Sequence, residues 1–103
     1  MEYKAKAIID RRYPVEEVGS AIYQQMLYIA AMVDTEHLAN ISTDSGYKRY
    51  LQLCRMEGYK PYFNKITFSK FVIKTFGYGI ENVRRKGKKY RVFRKEPPVR
   101  ISR

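Results

Sequence analysis

The stretch from Ile80 to Arg94 limits the possible folds more than any other. Two runs rich in β-branched and aromatic residues, Ile80–Arg85 and Lys88–Arg94, stand either side of Lys86-Gly87. A two-residue gap closed by glycine is the mark of a tight β-hairpin. An isolated hairpin is marginal in water, so its apolar positions need another surface to cover them. The residues before it read as helices. Pro14 opens a pattern in which Val15, Val18, Ile22, Met26, Ile29 and Val33 recur every three or four residues, which predicts one helix over 15–33. Ser42, Thr43 and Asp44 are N-cap candidates for a second helix at about 44–57, with Tyr47, Tyr50, Leu51 and Cys54 on one face and Gly58 as its stop. Tyr59–Phe63 contains Pro61 and reads as a turn. Asn64 is placed to cap a third helix at about 65–76, with Phe68, Phe71, Val72 and Phe76 inward and Gly77 and Gly79 ending it. Two further segments are expected to be extended: residues 3–9 as a short strand or ordered arm, and Ala39–Ser42 as a very short strand.

Length and charge refine this order. The chain has 103 residues, enough for one domain, and 45% of them are apolar, enough for one small core. The expected division is an arm at 1–13, an α+β domain at 14–95 and an extended basic tail at 96–103, where Pro97-Pro98 rules out a central strand. The net charge is +11 and is unevenly placed. Residues 1–83 hold 11 basic and 9 acidic side chains, whereas residues 84–103 hold 10 basic and 1 acidic. Within that stretch aromatic and β-branched residues interleave with the cations, which a merely solvated tail does not require. Two helices joined by a short turn form a helix-turn-helix unit, and a basic hairpin directly after it forms a wing. The expected architecture is therefore a winged helix: three helices, then the hairpin.

That arrangement suggests which residues meet a partner. An α-helix fits the major groove of duplex DNA, and Lys65, Ser69, Lys70, Ile73 and Lys74 share the outward face of the third helix. Arg84, Arg85, Lys86, Lys88, Lys89, Arg91 and Arg94 would displace counterions from phosphates. Strand alternation predicts Tyr90 and Val92 on one face of the hairpin and Lys89, Arg91 and Phe93 on the other. The third helix carries no Arg or Gln for bidentate base contacts, so weak sequence specificity is expected. Lys48, Arg49 and Arg55 read as surface residues of the second helix. Tyr23, Tyr28, Tyr47 and Tyr50 lie on helical stripes and are expected in the core, whereas Tyr59, Tyr62 and Phe63 are the better stacking platforms for unpaired bases.

Other chemistries find little support. Cys54 is the single cysteine and falls on an inward helix face, so an intramolecular disulfide or a four-cysteine site is excluded and a buried inert thiol is expected. His37 stands alone, and Asp10, Asp34, Glu36 and Asp44 lack the spacing of a metal-dependent nuclease. No nucleophile sits in a recognisable catalytic turn. The expectation is no enzyme, no cofactor and no metal. No apolar run approaches the roughly 18 residues of a membrane span, and the N-terminus lacks the order of a signal peptide. The expected location is intracellular, in the cytoplasm or nucleoid of a host cell, and nothing in the sequence fixes an oligomeric state.

Residues 47–94 resemble the C-terminal winged-helix domain of poxvirus-, phage- and plasmid-type primase-helicases. The resemblance is carried by Tyr47-Lys-Arg-Tyr50-Leu51 running to Gly58, by Phe68, Phe71 and Phe76-Gly77, and by Arg84-Arg85-Lys86-Gly87-Lys88-Lys89-Tyr90-Arg91-Val92-Phe93. The hairpin is also similar to that of RFX-type winged helices, which use the wing heavily in DNA contact. This resemblance implies a duplex-DNA-binding protein acting in replication or transcription control of a virus or mobile element. The chain has no Walker-type loop, so it implies a freestanding relative. The usual tryptophan of the second helix is also absent, with Leu53 near its place. Two other functions compete: a protein-binding inhibitor or adaptor that uses the basic surface, and binding of single-stranded DNA or RNA through the turn aromatics and the tail.

Overall fold

The computed structural model describes residues 4–95. Its elements run α1 (Lys4–Arg12), α2 (Val15–Val18), α3 (Ser20–Asp34), α4 (Thr43–Glu57), α5 (Lys65–Phe76), β1 (Gly79–Arg85) and β2 (Lys88–Arg94). The class is α+β, five helices and a two-stranded antiparallel hairpin.

Residues 4–12 are helical, not a strand. Lys and Ala are good helix formers, and a distant carboxylate caps the first turn. Asp34 accepts the Ala5 N–H at 2.9 Å and the Lys6 N–H at 3.4 Å. Lys6 pairs with Asp10 one turn on at 2.8 Å, and the Tyr23 hydroxyl donates to the same carboxylate. Ala5 and Ile9 are buried, and α1 packs along α3. The helix expected over 15–33 is broken at Gly19, whose φ of 90° and ψ of 151° belong to a region that only glycine enters freely. The apolar spacing carries on across this break, which hides it from a reading of periodicity.

The next two helices begin and end where their local signals lie. Ser42 caps α4 by accepting the Ser45 N–H at 3.0 Å, and Gly58 closes it in the left-handed conformation. Asn64 and Thr67 form a reciprocal capping box on α5, with bonds of 2.8 and 2.9 Å. The core lies where α3, α4, α5 and the hairpin root converge. Ile29, Leu38, Tyr50, Phe68, Val72 and Phe93 are fully buried. Tyr50 stacks on Phe68 at 5.5 Å, and Phe68 meets Phe93 edge-on at 6.1 Å. A Cβ at Gly46, inside α4, would stand 3.0 Å from Leu38 and 3.2 Å from Phe93. Glycine therefore lets the hairpin root settle onto α4.

The hairpin register pairs Ile80 with Phe93, Asn82 with Arg91 and Arg85 with Lys88. Lys86 and Gly87 both have positive φ, 51° and 78°, as a type I′ turn requires. The short strand expected at 39–42 is reduced to one bridge, Ser42 opposite Val92. Around it the Asn40 N–H donates to the Phe93 carbonyl at 2.8 Å, and the Phe93 N–H donates to the Ile41 carbonyl at 2.9 Å.

Candidate nucleic-acid interface

The helix expected to meet a partner is aimed by a buried polar cluster. The turn at 59–63 would leave backbone donors and acceptors unmatched, and buried groups of that kind must be bonded. The Tyr50 hydroxyl donates to Gln25 Oε1 and accepts the N–H groups of Tyr62 and Phe63, each at 3.1 Å. Gln25 also accepts the Tyr62 N–H at 2.9 Å and donates to the Lys60 carbonyl at 3.1 Å. The Tyr47 hydroxyl donates to the Phe63 carbonyl at 2.8 Å. Burial pushes the Tyr50 phenol and the Cys54 thiol up from their ordinary values, so both stay protonated near neutral pH. Cys54 sits fully buried, 3.5 Å from Gln25 Oε1, as expected of an inert core thiol. Phe63 is buried by this arrangement and offers no stacking surface, and Tyr59 is half-buried against Tyr28. Of the three turn aromatics, Tyr62, at 58% exposed, presents its ring to solvent.

On α5, Lys65, Lys70 and Lys74 are exposed and Ile73 is half-exposed. Ser69 departs from expectation: it is only 7% exposed, in a groove between α5 and β2. That groove, about 320 Å³ in volume, brings Thr43, Lys65, Ser69, Lys70, Ile73 and Arg91 together. Lys74 does not line it. Lys65 reaches Asp44 at 3.1 Å, and Lys48 reaches the same carboxylate at 3.2 Å. These bonds, Lys65's first, hold the Asp44 carboxyl below the usual range.

The hairpin separates its chemistry along its length, not by face. At the root both Val92 and Phe93 are buried, although they point to opposite faces. Arg94, expected to meet phosphate, is instead engaged within the fold. Its Nε donates to Glu81 at 2.6 Å and its Nη1 donates to Asn40 at 2.6 Å. Toward the tip both faces are cationic. The register sets Arg84 opposite Lys89 and Arg85 opposite Lys88, with Lys86 in the turn between them. Like charges directly opposite destabilise a strand pair. Among the described residues Arg84, Arg85, Lys86, Lys88, Lys89 and Arg91 form no ion pair. Tyr90 stands among them, 39% exposed.

Two contributors lie beyond the reach of the sequence patterns. Thr43 lines the groove with Arg91, although its sequence signal is only that of a helix start. Asn40, at a positive φ of 67°, orients Arg94 from 54 positions away, and no local pattern marks such a partner. The expected tail at 96–103 lies outside the described residues. Among the described residues no helix is long and apolar enough to cross a membrane. Comparison with family models, curated proteins and solved structures gave no match.

Proposed function

We propose that this chain is a winged-helix module that binds duplex DNA with little sequence preference, α5 entering the major groove and the β1–β2 hairpin lying along the backbone. The observation that carries the reading is the cluster of six cations between Arg84 and Arg91, four of them opposed in two like-charged pairs and all without carboxylate partners among the described residues. Such a cluster costs folding energy unless a polyanion relieves it. With its side chains an α-helix is about 10–12 Å across, which suits a groove about 12 Å wide, and the 12 residues of α5 give it about three turns to lay there. Its exposed cations are lysines, which attract phosphate as point charges and do not read base edges bidentately. Asn64, the amide at the start of α5, is occupied as its cap. The setting proposed for this activity is replication or transcription control in a virus or mobile element.

Fluorescence-anisotropy titration of a random 25-base-pair duplex and of its single strand, over a salt series, tests the reading. The duplex is expected to bind more tightly, with a steep log–log salt slope. Changing Arg84, Arg85, Lys88 and Lys89 to Ala is expected to flatten that slope by about 0.9 for each phosphate left unneutralised. A preference for the single strand would move the function to Tyr62 and Tyr90. Absence of binding to both strands near physiological salt would overturn the proposal and leave the basic hairpin as a surface for a protein partner.

A further inference from the structure

The groove between α5 and β2 is shaped for a smaller target than a whole duplex. We propose that it is a seat for a single phosphate group. Three cations from two elements surround it: Lys65 and Lys70 from α5, and Arg91 from β2. Two hydroxyl-bearing residues, Thr43 and Ser69, line it as well, 5% and 7% exposed. The neighbouring hydroxyls of Ser42, Ser45 and Thr67 are all used in caps, whereas those of Thr43 and Ser69 take no part in those bonds. Neither hydroxyl is among the side-chain atoms buried without a partner, so both remain open to solvent in a concave space lined by cations, free to donate to an entering group. The combination matches a phosphate. The Arg91 guanidinium forks onto two oxygens, the lysines supply charge, and the hydroxyls donate to what remains. The groove, about 320 Å³ in volume, has room for a group the size of a phosphate. Asp44 already shares Lys65, so the entering anion competes with that carboxylate at the rim.

The inference deepens the duplex-binding reading, because a backbone phosphodiester is one source of the group. A terminal phosphate monoester is the other. The test uses the whole chain and inorganic phosphate as probe. Amide chemical shifts are followed in a nitrogen–proton correlation spectrum, with chloride keeping ionic strength constant. Saturable shifts are expected at Thr43, Ser69, Lys70 and Arg91. Arg91→Gln, on an exposed side chain, is expected to abolish saturation. Ser69→Ala is expected to weaken it about five-fold, the loss of one hydrogen bond of about 1 kcal/mol. Shifts that chloride reproduces, or that spread evenly over the hairpin cations, would overturn the seat. A second arm compares duplexes with and without a 5′-phosphate. Tighter binding of the phosphorylated end, lost in Arg91→Gln, assigns the seat to a monoester. Equal binding that Arg91→Gln weakens for both assigns it to the backbone. If phosphate saturates the groove while no duplex binds, the seat stands and the duplex reading falls. If a duplex binds while phosphate leaves the groove amides unmoved, the seat falls and the duplex reading stands.

Discussion

Tyr50 places its ring in the aromatic core and its hydroxyl on the backbone of the turn before α5. Tyr50→Phe keeps the ring and leaves the Phe63 N–H without this partner. It is expected to cost about 2 kcal/mol in urea unfolding, the penalty for stranding a buried donor. The reverse case is also present. The Tyr78 hydroxyl and the Thr75 hydroxyl are buried with no hydrogen-bond partner among the described residues. Tyr78→Phe and Thr75→Val are therefore expected to leave stability unchanged or raise it by up to about 1 kcal/mol, read by the same denaturation. The buried phenol of Tyr50 also ties stability to alkaline pH. The Tyr50 value in the fold lies above the ordinary 10.0, chiefly through burial. The folded state thus holds its proton more tightly than the unfolded chain. The stability linked to Tyr50 is fully present below about pH 10 and is lost as pH rises past it. Thermal unfolding followed by circular dichroism is expected to show Tm falling above that pH, with a shallower fall in Tyr50→Phe. The helical stripe makes Tyr50's inward position legible, but Gln25, 25 residues earlier, carries no signal that it will be the partner.

Elements whose ends are set by neighbours in the chain are readable from sequence, and those set by distant groups are not. Ser42, Gly58, Asn64 and Gly77 bound α4 and α5 through bonds within a few residues, and the helices fall where those residues predict. The start of α1 is fixed by Asp34, which lies 28 and 29 positions beyond the amides it caps, so its alternating Lys and Ala read as extended. The break at Gly19 is invisible in the sequence because glycine is permitted, not required, within an apolar stripe. Gly46 is a different case: helical backbone where a Cβ would be tight against two fully buried side chains. Gly46→Ala is expected to destabilise by about 1–3 kcal/mol through contact with Leu38 and Phe93, despite alanine's better helix propensity, as chemical denaturation would show. In the turn, Lys86 occupies a left-handed position that Asn fills more readily. Lys86→Asn is expected to raise stability by about 0.5 kcal/mol while lowering duplex affinity, so that denaturation and anisotropy move in opposite directions.

For the molecule as a whole, the charge asymmetry is legible from composition, and the groove only in part. Helix and strand periods mark Lys65, Ser69, Lys70 and Arg91 as candidate site residues. Those periods do not show that α5 and β2 converge, nor that Ser69 sinks to 7% exposure between them. Arg94 departs from its expected role for the same reason: its partners Glu81 and Asn40 are brought to it by the hairpin and by the 39–42 segment. The lengthwise division of the hairpin has a similar origin. Phe93 and Arg94 tie the root to α4, Asn40 and Ile41, while everything from Arg84 to Lys89 projects beyond the core. The outer hairpin is thus a cassette. A neutral ribbon closed by Asn-Gly, spliced in place of residues 82–91, would inherit the same anchorage and fold on the same base. Changes in the tip are free to alter the charge the protein presents without renegotiating how it is built.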